Sequence, residues 1–491
     1  MPFWRQDENG VFPASADESA KMIEAIATHS SDIKKRSFSF GKTEGIVLYI
    51  ETMIEASKIE ERILQPLKEQ ASKKPEDALM VLDYEEALSK EEALKGLITG
   101  KTLLFIEGSR TCLLCGTQKN TLRTITEPLN EKVVRGPHDG FVENIETNIF
   151  FIRKRVESKG LTVEYMEKGS RAGSLMAIIY EKDIANPELV KRMKQRLETI
   201  DVEMVFDSGQ IEELIEDSTL SPFPQLLNTE RPDRVAANLM EGRIAILNDG
   251  SPTCLLAPVS FFSFYQSPDD YTARSVTGSF YRIIRLFSFF FAILLPAFYI
   301  SVVSFHSEIV PRDLILQLQG SVEQVPYPPL IEALFMELTI ELIREAGIRL
   351  PSPIGQTIGI VGGLVIGDAV VGAGLVSNFT VIVVALTAIS SYVVPSTEMN
   401  AAIRLLRFPF MIVASLFGFF GIVFAMMILL IHLCKLTSLG MPYFSPLAPL
   451  RWKDLKDTFV RRTWWKLKKR PYDSKPQVME KDSEARQWVD K

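Results

Sequence analysis

The 491-residue chain contains few of the residues that build metal, redox and disulfide sites, namely four cysteines and four histidines. The histidines lie far apart, without the HxxxH or HExxH spacing of metal-binding helices. Cys112 and Cys115 form an isolated CxxC, so we interpret both as buried strand residues and keep a metal or redox site as the weaker alternative. The sequence therefore predicts no metal, no cofactor and a reducing compartment.

Motifs of common enzyme classes are also absent. The chain has no GxxxxGK[ST] loop, no GxGxxG after a predicted strand, no GxSxG elbow and no kinase catalytic loop. We therefore do not predict an enzyme. The first twelve residues, MPFWRQDENGVF, are polar and lack the apolar segment of a cleavable signal peptide. We expect the region that follows them to remain in the cytoplasm.

Long apolar runs are missing from the first half of the chain and dominate the second. Residues 1–279 are charged throughout, whereas residues 280–434 contain four candidate transmembrane segments. These candidates are 281–305, 354–376, 379–394 and 408–433. We predict an α+β cytoplasmic region of two related α/β subdomains, followed by an all-α transmembrane bundle at 280–435. The bundle has about four spans and one membrane-associated amphipathic helix.

The tail at 436–491 is basic. Nine arginines and lysines between residues 451 and 470 accompany Trp452, Trp464 and Trp465, a composition typical of the cytoplasmic face of a membrane. Nucleic-acid binding is the weaker alternative for this tail. With both ends in the cytoplasm the number of spans is even. Arg404 and Arg407 then lie outside, in the short connection before the last span, which conflicts with their positive charge; the alternative is that this connection dips into the membrane interface.

The soluble half begins with a polar stretch, residues 1–42, that predicts a flexible arm. From Lys42 the isoleucines at 46, 50, 54, 59 and 63 predict a helix, and a second helix is predicted over 83–100. Two subdomains, 43–140 and 141–272, are expected after the arm.

An internal repeat supports the two subdomains. LITGKTLLFIEGSRTCLLC, which begins at Leu97, aligns without a gap with LMEGRIAILNDGSPTCLLA, which begins at Leu239. Each copy predicts a helix that ends in glycine, followed by a β-hairpin closed by an acidic-Gly-Ser turn. The repeat places Cys112 and Cys254 at the same structural position, which favours a packing role for both.

Five charged residues form a cluster on a predicted helix and its exit: Arg231, Asp233, Arg234, Glu241 and Arg243. We interpret the cluster as fixing the subdomain interface or the contact with neighbouring subunits. Anion binding by the Arg-Pro-Asp-Arg sequence is the alternative.

Residues 329–348 predict a helix with Glu337, Glu341 and Arg344 on one face. The length and charge of this helix suit a segment that lies against the bilayer or the bundle. A gating or coupling role and the role of a buried connector remain equally open.

The segment 351–395 is long enough for two passages through a bilayer, and its first half is rich in glycine. Read as a helix, it has glycines on one face, which is typical of close helix packing in membranes, and its single carboxylate on the other. The packing face comprises Gly355, Gly359, Gly363 and Gly367, and the predicted channel lining comprises Thr357, Val361, Leu364 and Asp368. In the alternative, Asp368 is paired or hydrated at the membrane interface.

Four stretches of the sequence resemble a known family: RGPHDGF from Arg135, SPFPQLLNTERPDRV from Ser221, EGR from Glu241 and PSPIGQTIGIVGG from Pro351. They are similar to the A subunit of the GerA-type spore germinant receptors of endospore-forming bacteria, over about residues 42–444. The resemblance implies a multi-pass protein of the spore inner membrane with both terminal regions in the cytoplasm. It also implies two partners, a transporter-like B subunit that binds the nutrient and a lipoprotein C subunit.

The resemblance further implies a receptor that commits a dormant spore to germination through early ion release. The A subunit would then be a homo-oligomeric, ligand-gated ion channel, with the acidic lining favouring cations. Asp368 and Gly372 stand where Gln and Glu are common in the family, so the carboxylate is displaced by one helical turn. The alternative is a non-conducting scaffold that relays the signal. A nutrient-binding or enzymatic soluble half has the least support.

Overall fold

The computed structural model describes residues 12–41, 43–69, 79, 84–119, 127–351, 354, 363 and 367–481. The first half of the chain forms two five-stranded antiparallel sheets, one after the other, and the second half is helical. Every pairing within the two sheets is antiparallel. Helices cover the sheets, so most strand residues are buried.

The first sheet has the strand order β1-β2-β4-β5-β3. Its elements are α1 (Ala16–Ile26), β1 (Ile33–Phe40), β2 (Thr43–Ile50), α2 (Ala56–Ile59), a π-helical turn (Glu60–Leu64), α3 (Gln65–Glu69), β3 (Tyr84–Ala87), α4 (Lys90–Ile98), β4 (Thr102–Ile106) and β5 (Cys112–Cys115).

The second sheet has the equivalent order β6-β7-β9-β10-β8. Its elements are α5 (Ile145–Arg155), β6 (Leu161–Lys168), β7 (Ser174–Glu181), α6 (Pro187–Glu198), α7 (Ser208–Ile215), β8 (Leu227–Thr229), α8 (Pro232–Leu239), β9 (Ile244–Asn248) and β10 (Cys254–Ala257).

The hairpins β4–β5 and β9–β10 have the same register. Phe105 pairs with Cys112 in the first, and Leu247 pairs with Cys254 in the second, so both partners are displaced by the same 142 residues. Gly108 and Gly250 close the two turns with φ of +85° and +83°, a conformation that favours glycine. The two predicted hairpins are confirmed, and the sequence repeat corresponds to a duplicated sheet.

The prediction of a flexible arm over 1–42 is wrong for the part that the structure describes. Residues 16–26 form α1, which buries Ala16, Ala20 and Ile23, and β1 pairs with β2 along its whole length. Ala16, Ala20 and Ile23 lie at positions i, i+4 and i+7, which makes one face of α1 apolar. The arm looked polar because only one of these three residues is large.

The predicted helix from Lys42 is also wrong in its first half. Residues 43–50 form β2, which lies between β1 and β4 and buries Ile46, Val47, Leu48 and Ile50. Isoleucines four residues apart fit a strand as well as a helix, because four is a multiple of the strand period of two. Helix forms only from Ala56, and residues 84–87 of the second predicted helix are strand β3.

A buried ion pair joins the two sheet units. Arg153 of α5 donates from Nε to Asp32 Oδ2 at 2.6 Å and from Nη2 to Asp32 Oδ1 at 2.7 Å, and the two side chains are 5% and 0% exposed. Ser30 and Thr52 donate to the same carboxylate at 2.7 and 3.1 Å. The bidentate geometry and the two hydroxyl donors compensate for the desolvation of both charges.

A short helix, α9 (Pro268–Thr272), precedes the helical half. The helical half consists of α10 (Ser275–Phe305), α11 (Arg312–Glu323), α12 (Pro329–Arg349), α13 (Asn378–Tyr392) and α14 (Thr397–Lys435), and the tail begins with β11 (Thr437–Ser438) and β12 (Met441–Pro442). Among the described residues, α10 and α14 are long and apolar enough to cross a membrane, and α13 is apolar but shorter. The number of spans predicted from the sequence is not confirmed.

Helix α14 reverses direction at Gly418, whose φ is 58° and ψ −140°. A straight helix of 39 residues would be about 58 Å long, twice the hydrocarbon thickness of a bilayer. Beyond the turn the chain comes back so closely that a Cβ on Gly421 would lie 2.4 Å from the carbonyl oxygen of Val413. The predicted single span over 408–433 is therefore wrong, because this stretch contains the turn.

Both ends of α14 lie beside the second sheet unit. Glu398 in its first turn is next to Asn228, and His432 in its last turn makes a 2.9 Å hydrogen bond between Nε2 and Ser221 Oγ. Gly418 lies at the opposite end of the bundle, where a Cβ would be 3.1 Å from His306 Nε2, just after α10. The two halves of α14 form a helical hairpin, each half about 25–31 Å long.

Replacing Arg153 by methionine removes the countercharge of a fully buried carboxylate. We expect Arg153→Met to lose about 3–5 kcal/mol of unfolding free energy, because Asp32 is then buried without compensation. Thermal and denaturant unfolding of the purified full chain in detergent measure the loss. The double variant Asp32→Leu/Arg153→Met should recover most of it, since it removes both charges.

The matched control is Arg171→Met, whose partner Glu203 belongs to a pair with 79% and 69% exposed side chains. It should change the free energy of unfolding by about 0–1 kcal/mol, and a loss equal to that of Arg153→Met would contradict the assignment. Burial alone would raise the pKa of Asp32, but Arg153 and the two hydroxyls hold it below the ordinary value. The contribution of the pair is therefore full above about pH 4 and is lost as the pH falls through the lowered pKa.

Candidate functional site

The helical half contains a buried ion pair between α12 and α14. Arg407 donates from Nη1 to Glu337 Oε2 and from Nε to the carbonyl oxygen of Ala292 in α10, the latter at 2.8 Å. Both charged side chains are almost fully buried, at 4% and 2% exposure. Three helices therefore meet at one guanidinium group.

A second charged group lies one helical turn further along the same two helices. Glu341 accepts from Arg404 of α14 at Oε1 and from Arg344 of its own helix at Oε2, the latter at 3.1 Å. Arg344 also donates from Nε to the hydroxyl of Tyr392 at 3.0 Å, and its guanidinium lies 4.8 Å from the centre of that ring. This group ties the end of α13 to α12 and α14.

The Arg407–Glu337 pair, called the inner pair below, is not fully satisfied by hydrogen bonds. Within the described part of the chain, Glu337 Oε1 and Arg407 Nη2 are buried without a hydrogen-bond partner. Unsatisfied charged atoms in a helical bundle cost free energy that apolar residues would not. An ionisable pair retained at such a cost in an apolar bundle is the candidate functional site of the helical half.

The structure brings the three residues of the predicted coupling helix, Glu337, Glu341 and Arg344, to two arginines that the sequence placed elsewhere. The prediction that Arg404 and Arg407 lie in a short connection is wrong. Both are in the first half of α14, which begins at Thr397. Inside an apolar bundle a guanidinium needs an anionic partner, and α12 supplies two.

The predicted channel segment lies largely outside the described residues. Gly355, Thr357, Gly359, Val361 and Leu364 are not described, whereas Gly363, Gly367 and Asp368 are. A Cβ on Gly363 or Gly367 would meet no atom within 4 Å, and Asp368 is exposed. The packing role and the lining role of this segment are therefore not tested.

The five charged residues predicted as a cluster on the second subdomain contact two other segments, the connector at 127–139 and the tail. Arg231 and Asp233 form a pair at 2.8 Å, and Arg231 also donates to the carbonyl oxygen of Pro137 at 3.0 Å. Arg234 is paired with Glu131, so these residues hold the connector at 127–139. None of the cluster's hydrogen bonds among the described residues reaches the first sheet.

The remaining two cluster residues hold the tail. Arg243 donates from Nη2 to Asp473 Oδ2 at 2.8 Å, and Lys481 donates to Glu241 Oε1 at 3.1 Å. The tail thus lies against the second sheet unit, on the same side of the bundle as both ends of α14. Anion binding has no support here, because Arg231, Arg234 and Arg243 all have carboxylate partners.

The cysteines of the CxxC motif cannot act together. Cys112 belongs to the core on one face of β5 and Cys115 to the core on the other, as expected for strand residues three apart. Burial raises the pKa of both thiols, that of Cys115 to about 12. In the described ranges no three His, Cys, Asp or Glu residues are grouped as a metal site would need.

The fold and the site define a class of protein: a duplicated α/β region joined to an apolar helical bundle that contains buried ion pairs. The family model of the Bacillus and Clostridium GerA spore germination proteins matches residues 21–473. The chain belongs to this family.

Several relatives are similar over most of their length. Spore germination protein KA of Bacillus subtilis (strain 168) is 39% identical over 491 residues, which covers 98% of this chain and 89% of that protein. Spore germination protein GerLA of Bacillus cereus is 43% identical, covering 77% of each chain. The uncharacterized membrane protein YfkQ of Bacillus subtilis is 38% identical, covering 92% of this chain and 90% of that protein.

One solved structure is also similar. It is the crystal structure of the N-terminal domain of the A subunit of the Bacillus megaterium spore germinant receptor GerK3, with 30% identity and a TM-score of 0.40. It covers 52% of this chain and 98% of that chain.

Two buried features were missed from the sequence. Asp32 and Arg153 are 121 residues apart and pair only because the two sheet units meet. Glu332 of α12 was not singled out because its partners, Ser377 and Thr380, are neutral and lie 45 and 48 residues away. A glutamate within the apolar run PLIEALFM at the start of α12 was the one available signal.

Arg407→Gln removes one half of the inner ion pair. We expect it to lower the free energy of unfolding by about 3–5 kcal/mol, because Glu337 stays buried without its countercharge. Thermal unfolding of the purified chain in detergent measures this. Arg349→Gln is the matched control on α12, where the pair with Glu345 is 77% and 57% exposed, and it should have an effect of at most about 0.5 kcal/mol. If the two variants are equally stable, Arg407 is not effectively buried.

Proposed function

We propose that this chain is the A-type membrane subunit of a spore nutrient-germinant receptor, which transduces nutrient binding into germination. Support comes from the match to the GerA spore germination family, from relatives named spore germination proteins and from a relative named a membrane protein. We place the subunit in the spore inner membrane, with the cytoplasmic subdomains up to residue 272, the bundle at 280–435 and the tail in the cytoplasm.

The observation that carries the transducing role is the position of α14. Its two ends contact the second sheet unit, and between them Arg404 and Arg407 pair with the carboxylates of α12. A movement of the sheet unit against the bundle would displace the guanidinium groups relative to Glu337 and Glu341. Because buried pairs have few alternative arrangements, such a movement switches the bundle between discrete states rather than deforming it gradually.

Within this role we propose that the subunit forms a homo-oligomeric, ligand-gated ion channel together with a B and a C subunit. The packing glycines of segment 351–376 would contact neighbouring helices, and the lining residues on the opposite face of the same segment would line the pore. The exposed Asp368 and the open positions at Gly363 and Gly367 support an arrangement in which other subunits cover this segment. The second candidate is a non-conducting scaffold that relays the signal, for which the ion pairs of α12 and α14 would suffice.

Val361→Ser tests the channel role. A valine ring closes a pore by excluding water, so a small polar residue there should let ions through without nutrient. We expect spores with this variant to release ions and germinate in the absence of germinant, which is measured by loss of optical density and by external ion concentration. Val423→Ser, at an exposed position of α14 outside the predicted lining, is the control and should leave dormancy unchanged. Dormant Val361→Ser spores with normally assembled receptor would contradict the pore assignment.

Asp368→Asn separates the channel from the scaffold. The purified wild-type chain in liposomes should conduct monovalent cations, and the variant should conduct less and select cations less strongly, because the acidic ring is lost. Ion flux is measured with an entrapped cation-sensitive dye, and oligomer size by chromatography in the same preparation. Intact wild-type oligomers without flux would favour the scaffold.

A further inference from the structure

Helix α12 carries three buried or partly buried glutamates, and one of them differs from the others. Glu337 and Glu341 are each paired with an arginine of α14. Glu332, which is 1% exposed, has no ion-pair partner among the described residues. One carboxylate in an apolar bundle is therefore without a countercharge.

Glu332 is bound at only one of its two oxygens. Oε2 accepts from the backbone N–H of Ser377 at 2.9 Å and from the hydroxyl of Thr380 at 3.1 Å. Oε1 is buried and has no hydrogen-bond partner in the part of the chain that the structure describes. The carboxylate thus has one oxygen fixed at the start of α13 and one oxygen available.

Three hydroxyl groups lie together beside this carboxylate. The hydroxyl of Tyr299 in α10 is 3.2 Å from Ser377 Oγ and 3.1 Å from Thr380 Oγ1, and the last two are 2.9 Å apart. All three residues are buried, at 7%, 2% and 0% exposure. One carboxylate and three hydroxyl oxygens from two further helices therefore form a polar cluster within apolar surroundings.

An ionised carboxylate without a countercharge is costly in an apolar bundle. The N-terminus of α13 supplies a partial positive charge of about half a unit, which compensates for only part of it. A bound cation would supply the rest. Hard oxygen ligands suit alkali and alkaline-earth ions, and a single carboxylate suits a single positive charge, because divalent sites usually gather several carboxylates.

We propose that Glu332, Tyr299, Ser377 and Thr380 form a binding site for a monovalent metal cation between α10, α12 and α13. Glu332 supplies the charge, and the hydroxyl oxygens supply neutral ligands. The proposal depends on the bundle lying in the membrane and not on ion conduction by the chain. A non-conducting scaffold could hold the same cation as a structural ion.

The experiment compares thermal unfolding of the purified full chain in KCl, NaCl and choline chloride, at one ionic strength and pH 7.5. Wild type should unfold at a higher temperature in one of the metal salts than in choline, by about 1–3 °C at a concentration ten times the dissociation constant. Glu332→Gln should lose this difference, because the amide keeps the acceptor oxygen and removes the charge. Thr380→Val and Tyr299→Phe should each reduce the difference in unfolding temperature between the salts. These two variants replace Glu332→Gln in the experiment if that variant does not fold.

Glu345→Gln is the control on the same helix, since Glu345 is exposed and pairs with Arg349, and it should keep the full difference between salts. Equal unfolding temperatures of wild type in all three salts would overturn the proposal, as would a difference that persists in Glu332→Gln. An unfolding temperature that follows pH instead of the salt, and only when Glu332 is present, would assign a proton to Oε1 and also overturn it. None of these results depends on flux in liposomes, so failure here is distinct from failure of the channel proposal.

Discussion

Pairing of buried guanidinium and carboxylate groups is the constraint on which both halves of this protein depend. In the first half of the chain, Arg153 and Asp32 hold two duplicated sheets in one arrangement, and in the bundle Arg407 and Glu337 do the same for α12 and α14. Buried charges fix the relative position of the elements that carry them, because a shift of one residue leaves each charge without a partner. The Arg153–Asp32 pair leaves no buried atom unsatisfied, whereas the Arg407–Glu337 pair leaves one on each partner. The first is suited to a fixed contact, and the second to one that changes.

The reversal of α14 at Gly418 gives the bundle pair its connection to the rest of the molecule. Because the helix turns back on itself, both of its ends reach the second sheet unit, and the tail that follows is bound to the same unit through Asp473. The first sheet unit, by contrast, contacts the second through Asp32. Among the described residues, α14 is thus a helix that both contacts the second sheet unit and pairs with the carboxylates of α12.

Features of this structure that neighbouring residues determine were predictable from the sequence, whereas features that depend on residues far apart in the chain were not. The repeat identified two hairpins in register, since the turn residues and buried strands are local. The helix carrying Glu337, Glu341 and Arg344 was also predictable from its own periodicity. The arginines that pair with it were not, because α14 was divided at the wrong point and its turn is set by one glycine within an apolar run. α1 was missed for a related reason, as alanines give little hydrophobic signal. The Asp32–Arg153 pair and the surroundings of Glu332 require tertiary proximity, which no local pattern encodes.

Three of the four glutamates of α12 have different surroundings. Glu341 lies in a partly exposed group with two arginines, Glu337 in a buried pair, and Glu332 among neutral hydroxyls at the start of α13. Compensation by protein cations thus decreases along the helix from Glu341 to Glu332, in the direction away from the sheet units and towards the end of α10. A carboxylate row of this kind is stable only if each position finds its own source of positive charge. Among the described residues, the source for Glu332 is the N-terminus of α13 with about half a unit of charge, so the electrostatic balance of the bundle is incomplete there, at the end most distant from the sheet units.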